Sequence, residues 1–231
     1  LGANPNMKDL NQWTPLDLSK DKFCWKVLSN LNEAAYECDD RNLKHLVNCG
    51  NKINDKLSIF GEAPIHKAVL SHKPENTETL KVIIDCEADL ENIDSNGWSA
   101  LHHACSKGDF NSALILISSG ANVNSFSNFK KTPLHLAALN NNYECLKLLI
   151  EKEAFIESLT DEDCTPLHLA AKKGHLECVQ ILLNSGANIY GLDFRSWTAL
   201  HYAAYNGHRI IVNYLLMWDA DYEQLWDMRN S

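Results

Sequence analysis

The sequence lacks the features that mark a secreted, membrane-spanning or nucleic-acid-binding protein. No apolar run approaches the ~20 residues that a membrane-crossing helix needs. The first residues, LGANPNMKDLNQW, contain neither a basic segment nor the long apolar segment of a signal peptide, and no N-x-S/T glycosylation site occurs. The 21 Lys and Arg residues are outnumbered by 30 Asp and Glu residues, for a net charge of −9. Because nucleic-acid binders need a cationic face, a nucleic-acid partner is not predicted.

Cysteine pairs and catalytic signatures are also absent. The eight cysteines are scattered through 231 residues without a C-x-x-C pair. This usage is typical of reduced thiols in the cytosol, and a secreted disulfide framework is the weaker interpretation. There is no Walker A, dinucleotide-binding, H-E-x-x-H or G-x-S-x-G motif, so the sequence predicts a non-catalytic protein without a cofactor. The expected location is the cytoplasm, with the nucleus or the cytosolic part of a membrane protein as open alternatives.

The sequence does contain an internal repeat. A tetrapeptide that ends in histidine recurs at residues 63–66, 99–102, 132–135, 165–168 and 198–201, as APIH, SALH, TPLH, TPLH and TALH. Its histidines are 36, 33, 33 and 33 residues apart, and Gly108, Gly174 and Gly207 keep the same period. Recurrence at a near-fixed spacing indicates a repeat protein in which one structural unit is stacked several times.

This period, with the motif T-P-L-H-x-A, resembles that of the ankyrin repeat family. The resemblance covers nearly the whole chain and is strongest from about residue 58 to residue 226. It implies an all-α solenoid of stacked helix-turn-helix units with protruding β-hairpin-like loops. Within one unit, Thr165 is a predicted N-cap, Pro166 suits the first helical turn and Gly174 ends the first helix. One helix pair buries its apolar faces only against neighbouring repeats.

The repeat period divides the chain into predicted units. Residues 1–30 are interpreted as the tail of an earlier repeat plus a truncated, degenerate repeat, and residues 31–57 as a degenerate repeat with Asn32 at the histidine position. Residues 58–93 form a repeat with three extra residues near Pro74, where we expect an enlarged loop between the helices. Further repeats are predicted at 94–126, 127–159, 160–192 and 193–226, and the start of another at 227–231. We interpret the chain as a segment of a longer ankyrin protein, expected to be monomeric.

The repeated histidines have a catalytic, a metal-binding and a structural interpretation. Successive repeats lie roughly 10 Å apart, whereas all ligands of a zinc ion lie about 2 Å from it, so these histidines cannot share one ion. The resemblance implies that each one hydrogen-bonds within its own motif turn and to the backbone of the adjoining repeat. His102 and Cys105 share a helix face, but core packing of this cysteine is favoured and no metal site is predicted. The histidines assigned to a structural role are His66, His102, His135, His168 and His201.

The surface of the repeats carries the predicted binding function. In the ankyrin family, hairpin tips and first helices line a concave groove that binds partners, and aromatic and arginine side chains dominate interface hot spots. Five aromatic residues occupy such positions here, and packing of hairpin on hairpin is the alternative for each one taken singly. The residues predicted to contact a partner are Trp98, Lys107, Phe129, Lys131, Leu139, Asn140, Lys172, Lys173, Phe194, Arg195, Trp197 and Tyr205.

Two functions are compatible with these observations. The first is a non-catalytic scaffold that binds a peptide or folded protein through its concave face. The alternative is a regulatory or substrate-recruiting module of a larger channel, kinase, acyltransferase or ubiquitin ligase. The resemblance also implies that Asn124, at a hairpin position that is hydroxylated in some ankyrin proteins, is a candidate for this modification, although an unmodified turn asparagine is favoured.

Overall fold

The computed structural model describes the backbone of residues 31–48, 50–56 and 58–230, and side chains up to residue 219. The repeat tail and truncated repeat predicted for residues 1–30 lie outside this part of the chain. The described residues belong to two compact units, divided between Ser95 and Asn96. Both units are built from helices joined by loops, and no β-strand occurs in the described residues.

The described part of the first unit starts with helical backbone at residues 31–36. Three further helices follow: α1 (Asp40–Asn48), α2 (Pro64–Leu70) and α3 (Asn76–Asp85). Helix α3 packs against both α1 and α2, and the core between them includes the fully buried side chains of Leu43, Leu80 and Ile83. Residues 71–75 form the loop from α2 to α3. Pro74 in this loop has no N–H to donate, so it cannot extend a helix through this point.

The second unit contains four helix pairs. They are α4 (Ala100–Lys107) with α5 (Phe110–Ser118), α6 (Pro133–Leu139) with α7 (Tyr143–Glu151), α8 (Pro166–Lys173) with α9 (Leu176–Asn184), and α10 (Ala199–Tyr205) with α11 (Arg209–Asn230). The first helices pack on one another in the order α4, α6, α8, α10, and the second helices form another layer. Close packing of the first helices is possible because a fully buried alanine recurs at the same position of each: Ala104, Ala137, Ala170 and Ala203. This all-α stack of helix pairs confirms the predicted fold class.

The loops between helix pairs turn back like β-hairpins. Ser127, Thr160 and Asp193 each donate their N–H to the carbonyl four residues later, over 2.9, 3.1 and 3.0 Å respectively. Their side chains are buried and accept a hydrogen bond from the N–H of that same later residue. Each tip is therefore closed by two hydrogen bonds that depend on one buried polar side chain.

Gly174 ends α8 and also allows two repeats to approach closely. Its φ of 85° lies in the left-handed region, which glycine adopts without strain. A Cβ at this position would lie 2.8 Å from the ring of His208 in the next repeat. Gly207 has a similar φ of 74°, but nothing lies within 4 Å of the position of a Cβ there. Gly174 is thus needed both for its left-handed backbone and for the space that it leaves to His208, whereas Gly207 is needed for its backbone alone.

Helix α11 is longer than the other second helices: it runs for 22 residues, to Asn230. Helices α5 and α9 end before Gly120 and Gly186, which adopt φ of 99° and 93°. The corresponding residue of α11 is Asp219, and the helix continues through it. Its backbone is therefore also helical at residues 227–230, part of the segment in which the sequence predicts the start of a further repeat.

Candidate functional site

The motif histidines hydrogen-bond through both ring nitrogens. In His135, Nδ1 accepts a hydrogen bond from the N–H of Thr132 (3.1 Å) and lies 2.9 Å from the hydroxyl of the same residue. Its Nε2 lies 3.0 Å from the carbonyl oxygen of Cys164 in the next repeat. Because Nδ1 accepts from an N–H, the ring proton resides on Nε2, which donates to this carbonyl. The side chain thus joins its own helix turn to the backbone of its neighbour.

The same pair of hydrogen bonds recurs in His102 and His168. In His66, His102 and His168, Nδ1 accepts an N–H from the residue three positions earlier, over 3.0–3.1 Å. The Nε2 atoms of His102 and His168 lie 3.1 Å from the carbonyl oxygens of Lys131 and Trp197 in the next repeat, whereas that of His66 lies 2.9 Å from the carbonyl oxygen of Asn92, within its own predicted repeat. His201 makes the turn bond to the N–H of Thr198 (3.2 Å) but is exposed. In the first unit, Asn32 takes the histidine position and donates to the carbonyl of Glu62 (3.1 Å).

Burial determines the charge state of two of these rings. His135 is fully buried, and desolvation lowers its pKa to about 4, although hydrogen bonds to backbone carbonyls oppose this effect. Burial also lowers the pKa of His168. Both imidazoles are therefore neutral near pH 7, which the N–H donors to their Nδ1 atoms also require. A neutral ring that is hydrogen-bonded at both nitrogens has no lone pair left for a metal ion or a substrate proton.

The cysteines close to these histidines belong to the core. Cys105, Cys145 and Cys178 are at most 1% exposed. Burial raises the pKa of the Cys105 thiol, and it raises that of Cys178 to about 12, whereas the hydrogen bond with Cys105 lowers the pKa of Cys145. Protonated thiols such as those of Cys105 and Cys178 are poor metal ligands and poor nucleophiles. Among the residues that the structure describes, no group of three or more His, Cys, Asp or Glu side chains is placed to hold a metal ion.

A second row of side chains connects successive repeats at the start of the second helices. Asn142, His175 and His208 each hydrogen-bond to the end of the first helix of the preceding repeat. The acceptors are the carbonyls of Cys105 and Ser106 for the asparagine, and those of Leu139 and Lys172 for the two histidines, over 2.8–3.1 Å. The last carbonyls of a helix have no partner within it, so these side chains satisfy them. The 33-residue spacing of the three positions is the sequence signal by which they can be found.

Five of the residues predicted to contact a partner line one pocket of the second unit, which we call the tip–helix pocket. Its volume is about 340 Å³, and it lies between two hairpin tips and the ends of α6 and α8. It is lined by Phe129, Lys131, Leu139, Thr160, Asp161, Glu162, Leu169, Lys172 and Lys173. Phe129 is 61% exposed, so a large aromatic ring stands at the edge of this concave site.

Backbone and side-chain contacts hold the two tips of the pocket together. The N–H of Asp161 donates to the carbonyl of Phe129 over 3.4 Å, and its carboxylate forms an exposed ion pair with Lys130 at 3.5 Å. At the base of the pocket, the half-buried Leu139 packs against the cluster that contains Leu169. The exposed ion pair contributes little stability, so the apolar base is what fixes the shape of the pocket.

An aromatic cluster adjoins the pocket. Trp197 packs against Tyr202 and Tyr205, with ring centroids 5.2 and 5.3 Å apart. The hydroxyl of Tyr202 donates to the buried carboxylate of Asp193 (2.7 Å), and burial together with this bond raises the tyrosine pKa well above its usual range. Burial opposes ionisation of Asp193, but hydrogen bonds from Tyr202 and from backbone N–H groups outweigh it and lower its pKa. Lys172 lies 5.2 Å above the Tyr202 ring, at the boundary between cluster and pocket.

The other predicted contact residues lie outside the tip–helix pocket. Trp98 is half-buried against two histidine rings of α4, so packing accounts for part of its surface. Phe194 and Arg195 are exposed at a tip, with the guanidinium 4.8 Å from the ring centroid. Lys107 and Asn140 are exposed at the ends of first helices, where the asparagine donates to the hydroxyl of Ser106 (3.0 Å).

The side-chain amide of Asn124 is used within the loops. Its Oδ1 accepts the N–H of Phe155 (2.8 Å), and its Nδ2 donates to the carbonyl of Glu153 (3.5 Å). This asparagine therefore connects two successive repeats, which accounts for an asparagine here without any modification.

The family model for ankyrin repeats, which contains three copies of the repeat, matches residues 31–127, 73–160 and 134–225. These matches together cover well over half of the chain. In the described part of the chain, no helix combines the length and the apolar character needed to span a membrane.

Several curated proteins match shorter stretches. Mouse protein phosphatase 1 regulatory subunit 27 is 41% identical over 68 residues, which make up 29% of this chain and 42% of that protein. The human protein of the same name is 44% identical over 62 residues, or 27% and 38% of the two chains. Ankyrin repeat protein OPG189 of variola virus is 31% identical over 91 residues, or 39% and 16%. The matched stretches span less than half the length of each of these relatives.

The repeated motif, the stacked helix pairs and the family match agree. Ankyrin repeats generally act as protein–protein interaction modules, and both the family and the regulatory-subunit relatives point to a non-catalytic role. The chain belongs to the ankyrin repeat family.

Proposed function

We propose that the second unit binds a protein partner, either a peptide or a folded domain, through the concave face formed by its hairpin tips and first helices. The tip–helix pocket is the observation that supports this best. It combines the exposed ring of Phe129 with Leu139 and Leu169 at its base and with charges of both signs at its rim. Concave apolar sites with a few convergent polar groups are typical binding sites, and exposed apolar groups with a polar rim are typical of interaction surfaces.

The lining of the pocket indicates the chemistry of the partner. An apolar side chain that is fully buried there would contribute roughly 1.5–3 kcal/mol to binding. Lys131, Lys172 and Lys173 are positioned to pair with carboxylates, while Asp161 and Glu162 are positioned to pair with basic groups. We therefore expect a segment with an apolar anchor flanked by charges of both signs. Because the rim carries both signs, added salt should weaken binding only modestly.

Affinity capture with matched phenylalanine variants tests this proposal. Phe129 and Phe60 are 61% and 59% exposed, but only Phe129 lines the pocket, and Phe60 belongs to the first unit. Proteins retained by the wild-type chain, quantified by mass spectrometry, should fall by about fivefold or more with Phe129→Ala or Leu139→Ala and stay unchanged with Phe60→Ala. Equal retention by the two phenylalanine variants would show that the pocket is not the binding site.

We assign the five motif histidines to the stack rather than to chemistry or metal binding. The buried, neutral ring of His135 supports this, because both of its nitrogens are hydrogen-bonded within the protein. The variant His135→Asn should lower stability but leave partner affinity of the folded protein unchanged. A loss of affinity at full folding, checked by circular dichroism, would contradict this assignment.

The matches to protein phosphatase 1 regulatory subunit 27 favour a second candidate function, in which the chain is a regulatory module that docks on an enzyme. A phosphatase catalytic subunit is the first enzyme to test. We expect purified protein phosphatase 1 catalytic subunit to bind the wild-type chain in calorimetry and to bind Phe129→Ala more weakly. Absence of binding would remove this candidate and leave the proposal for the pocket intact.

A further inference from the structure

The outer side of the hairpin loops in the second unit carries exposed apolar side chains that neither the pocket nor the core uses. Phe126, Leu159 and Leu192 are 54%, 45% and 57% exposed, and they occupy the same position of three successive repeats, 33 residues apart. Each one is followed by the buried polar residue that closes the hairpin. Because the apolar side chain is exposed where the next side chain is buried, the apolar one faces solvent instead of the core.

Phe126, Leu159 and Leu192 form a row across three repeats. Hydrogen bonds in the loop just before each of these residues link one repeat to the next. The N–H of Phe155 donates to the side chain of Asn124 over 2.8 Å. One repeat further on, the N–H of Asn188 donates to the carboxylate of Glu157 over 3.0 Å. Phe126 and Leu159 each follow the residue that accepts this hydrogen bond, Asn124 or Glu157, by two positions. The hydrogen bonds therefore keep the loops that carry the row next to one another.

The hairpin tips just after the residues of the row are linked in the same way. The N–H of Asp161 donates to the carbonyl of Phe129 (3.4 Å), and the N–H of Phe194 donates to the carbonyl of Glu162 (3.3 Å). Each apolar residue thus lies between a loop and a hairpin tip that are both hydrogen-bonded to an adjacent repeat. The three side chains are therefore neighbours on one surface.

We include two further exposed side chains with this row because of their position in the sequence. Phe155 is 64% exposed and Tyr190 is 52% exposed, and each lies a few residues before a member of the row. We call the five residues the apolar strip: Phe126, Phe155, Leu159, Tyr190 and Leu192. At about half exposure each, they present on the order of 400 Å² of apolar surface, which is as large as the largest patch on a typical monomer and is often functional at that size.

The charges around the strip are predominantly negative. Glu153 and Glu157 are exposed within it, and Asp219 accepts a hydrogen bond from the hydroxyl of Tyr190. Lys152 is the basic residue beside Glu153, and the exposed Glu151 precedes it, so acidic groups outnumber basic groups here. A second copy of the chain would bring two such rims, each on a protein with a net charge of −9, against one another, which is unfavourable.

We infer that the apolar strip is a second docking surface, for a polypeptide segment of a partner that alternates apolar and basic side chains. Its apolar side chains cover the row of Phe126, Leu159 and Leu192, and its basic side chains face Glu153 and Glu157. The surface lies outside the residues that line the tip–helix pocket, so the two sites can be changed independently.

A pair of synthetic peptides tests this inference on the full chain. One peptide alternates leucine and lysine, and the other alternates leucine and glutamate. In fluorescence anisotropy, the lysine peptide should bind at least about tenfold more tightly than the glutamate peptide, and added salt should reduce the difference. The variants Leu159→Ser and Leu192→Ser should each weaken its binding by about fivefold, whereas Phe129→Ser should leave it unchanged.

A charge variant and a measurement of oligomeric state complete the test of what occupies the strip. Glu157→Gln retains a side-chain oxygen for the N–H of Asn188, so the fold should be preserved. Because it removes one negative charge, it should weaken binding of the lysine peptide and make that binding less dependent on salt. Equal affinity for both peptides, or unchanged binding by well-folded strip variants, would overturn the inference. So would sedimentation that shows a dimer of the wild-type chain which Leu159→Ser dissociates, because the occupant would then be a second copy.

Discussion

Lowering the pH should destabilise the second unit through its buried histidine rings. The ordinary histidine pKa of 6.5 applies to the unfolded chain, and burial lowers that of His135 to about 4 in the folded chain. As the pH falls through 6.5, the unfolded chain binds a proton first, so the free energy of unfolding decreases until the folded ring also protonates near pH 4. Below that pH, no further loss comes from this residue.

The magnitude follows from the two pKa values. Their difference of about 2.5 corresponds to about 3 kcal/mol, because one pKa unit is worth about 1.4 kcal/mol. The physical source is the loss of solvation by the fully buried ring, and protonation at Nδ1 would also place a proton against the N–H of Thr132. His168 contributes in the same direction. A loss of this size is a large fraction of the stability of an ordinary domain.

Urea unfolding of wild type and His135→Asn across about pH 7 to 4 isolates this contribution. Asparagine is a reasonable replacement, because Asn32 makes the equivalent hydrogen bond in the first unit. The stability advantage of the wild type should shrink by about 3 kcal/mol over this range. A wild-type advantage over His135→Asn that does not change with pH would show that burial does not hold this ring in its neutral form.

Three further substitutions test the contacts between repeats in urea or thermal unfolding. Gly174→Ala should cost about 2–4 kcal/mol, from left-handed strain plus a steric conflict, whereas Gly207→Ala should cost only about 1 kcal/mol; equal losses would contradict the close approach. Asn142→Ala leaves two helix-end carbonyls without their donor, so about 1–3 kcal/mol should be lost. Tyr202→Phe removes the donor to the buried Asp193 and should also cost about 1–3 kcal/mol, which an unchanged midpoint would disprove.

The elements of one repeat follow from short-range chemistry and are therefore predictable from sequence. Thr165 accepts the N–H of His168 at the helix start, Pro166 occupies the first turn, and Gly174 takes the left-handed conformation that ends the helix. The period of the motif then specifies which faces must be buried, because an isolated helix pair cannot cover its own apolar side chains. The fold class is thus determined by local signals that repeat at one spacing.

The candidate site is predictable only in part, because exposure depends on contacts between repeats. Phe129 and Leu139 were both among the residues predicted to contact a partner, and they line one pocket. The period did not indicate that Trp197 would be half-buried against Tyr202, since that depends on which ring the next helix supplies. Nor did it indicate that α11 continues through Asp219. The equivalent Gly120, Glu153 and Gly186 all follow the end of a second helix, so the residue type at this position does not decide where the helix ends.

Hydroxyl-radical footprinting of the captured complex shows whether the partner covers the tip–helix pocket, because it measures the solvent exposure of individual side chains. In the free chain, Phe129 and Phe60 are 61% and 59% exposed and should be oxidised at similar rates. If the partner occupies the tip–helix pocket, oxidation of Phe129 should fall several-fold in the complex while that of Phe60 stays the same. If Phe129 is oxidised as fast in the complex as in the free chain, the partner does not bind in the pocket.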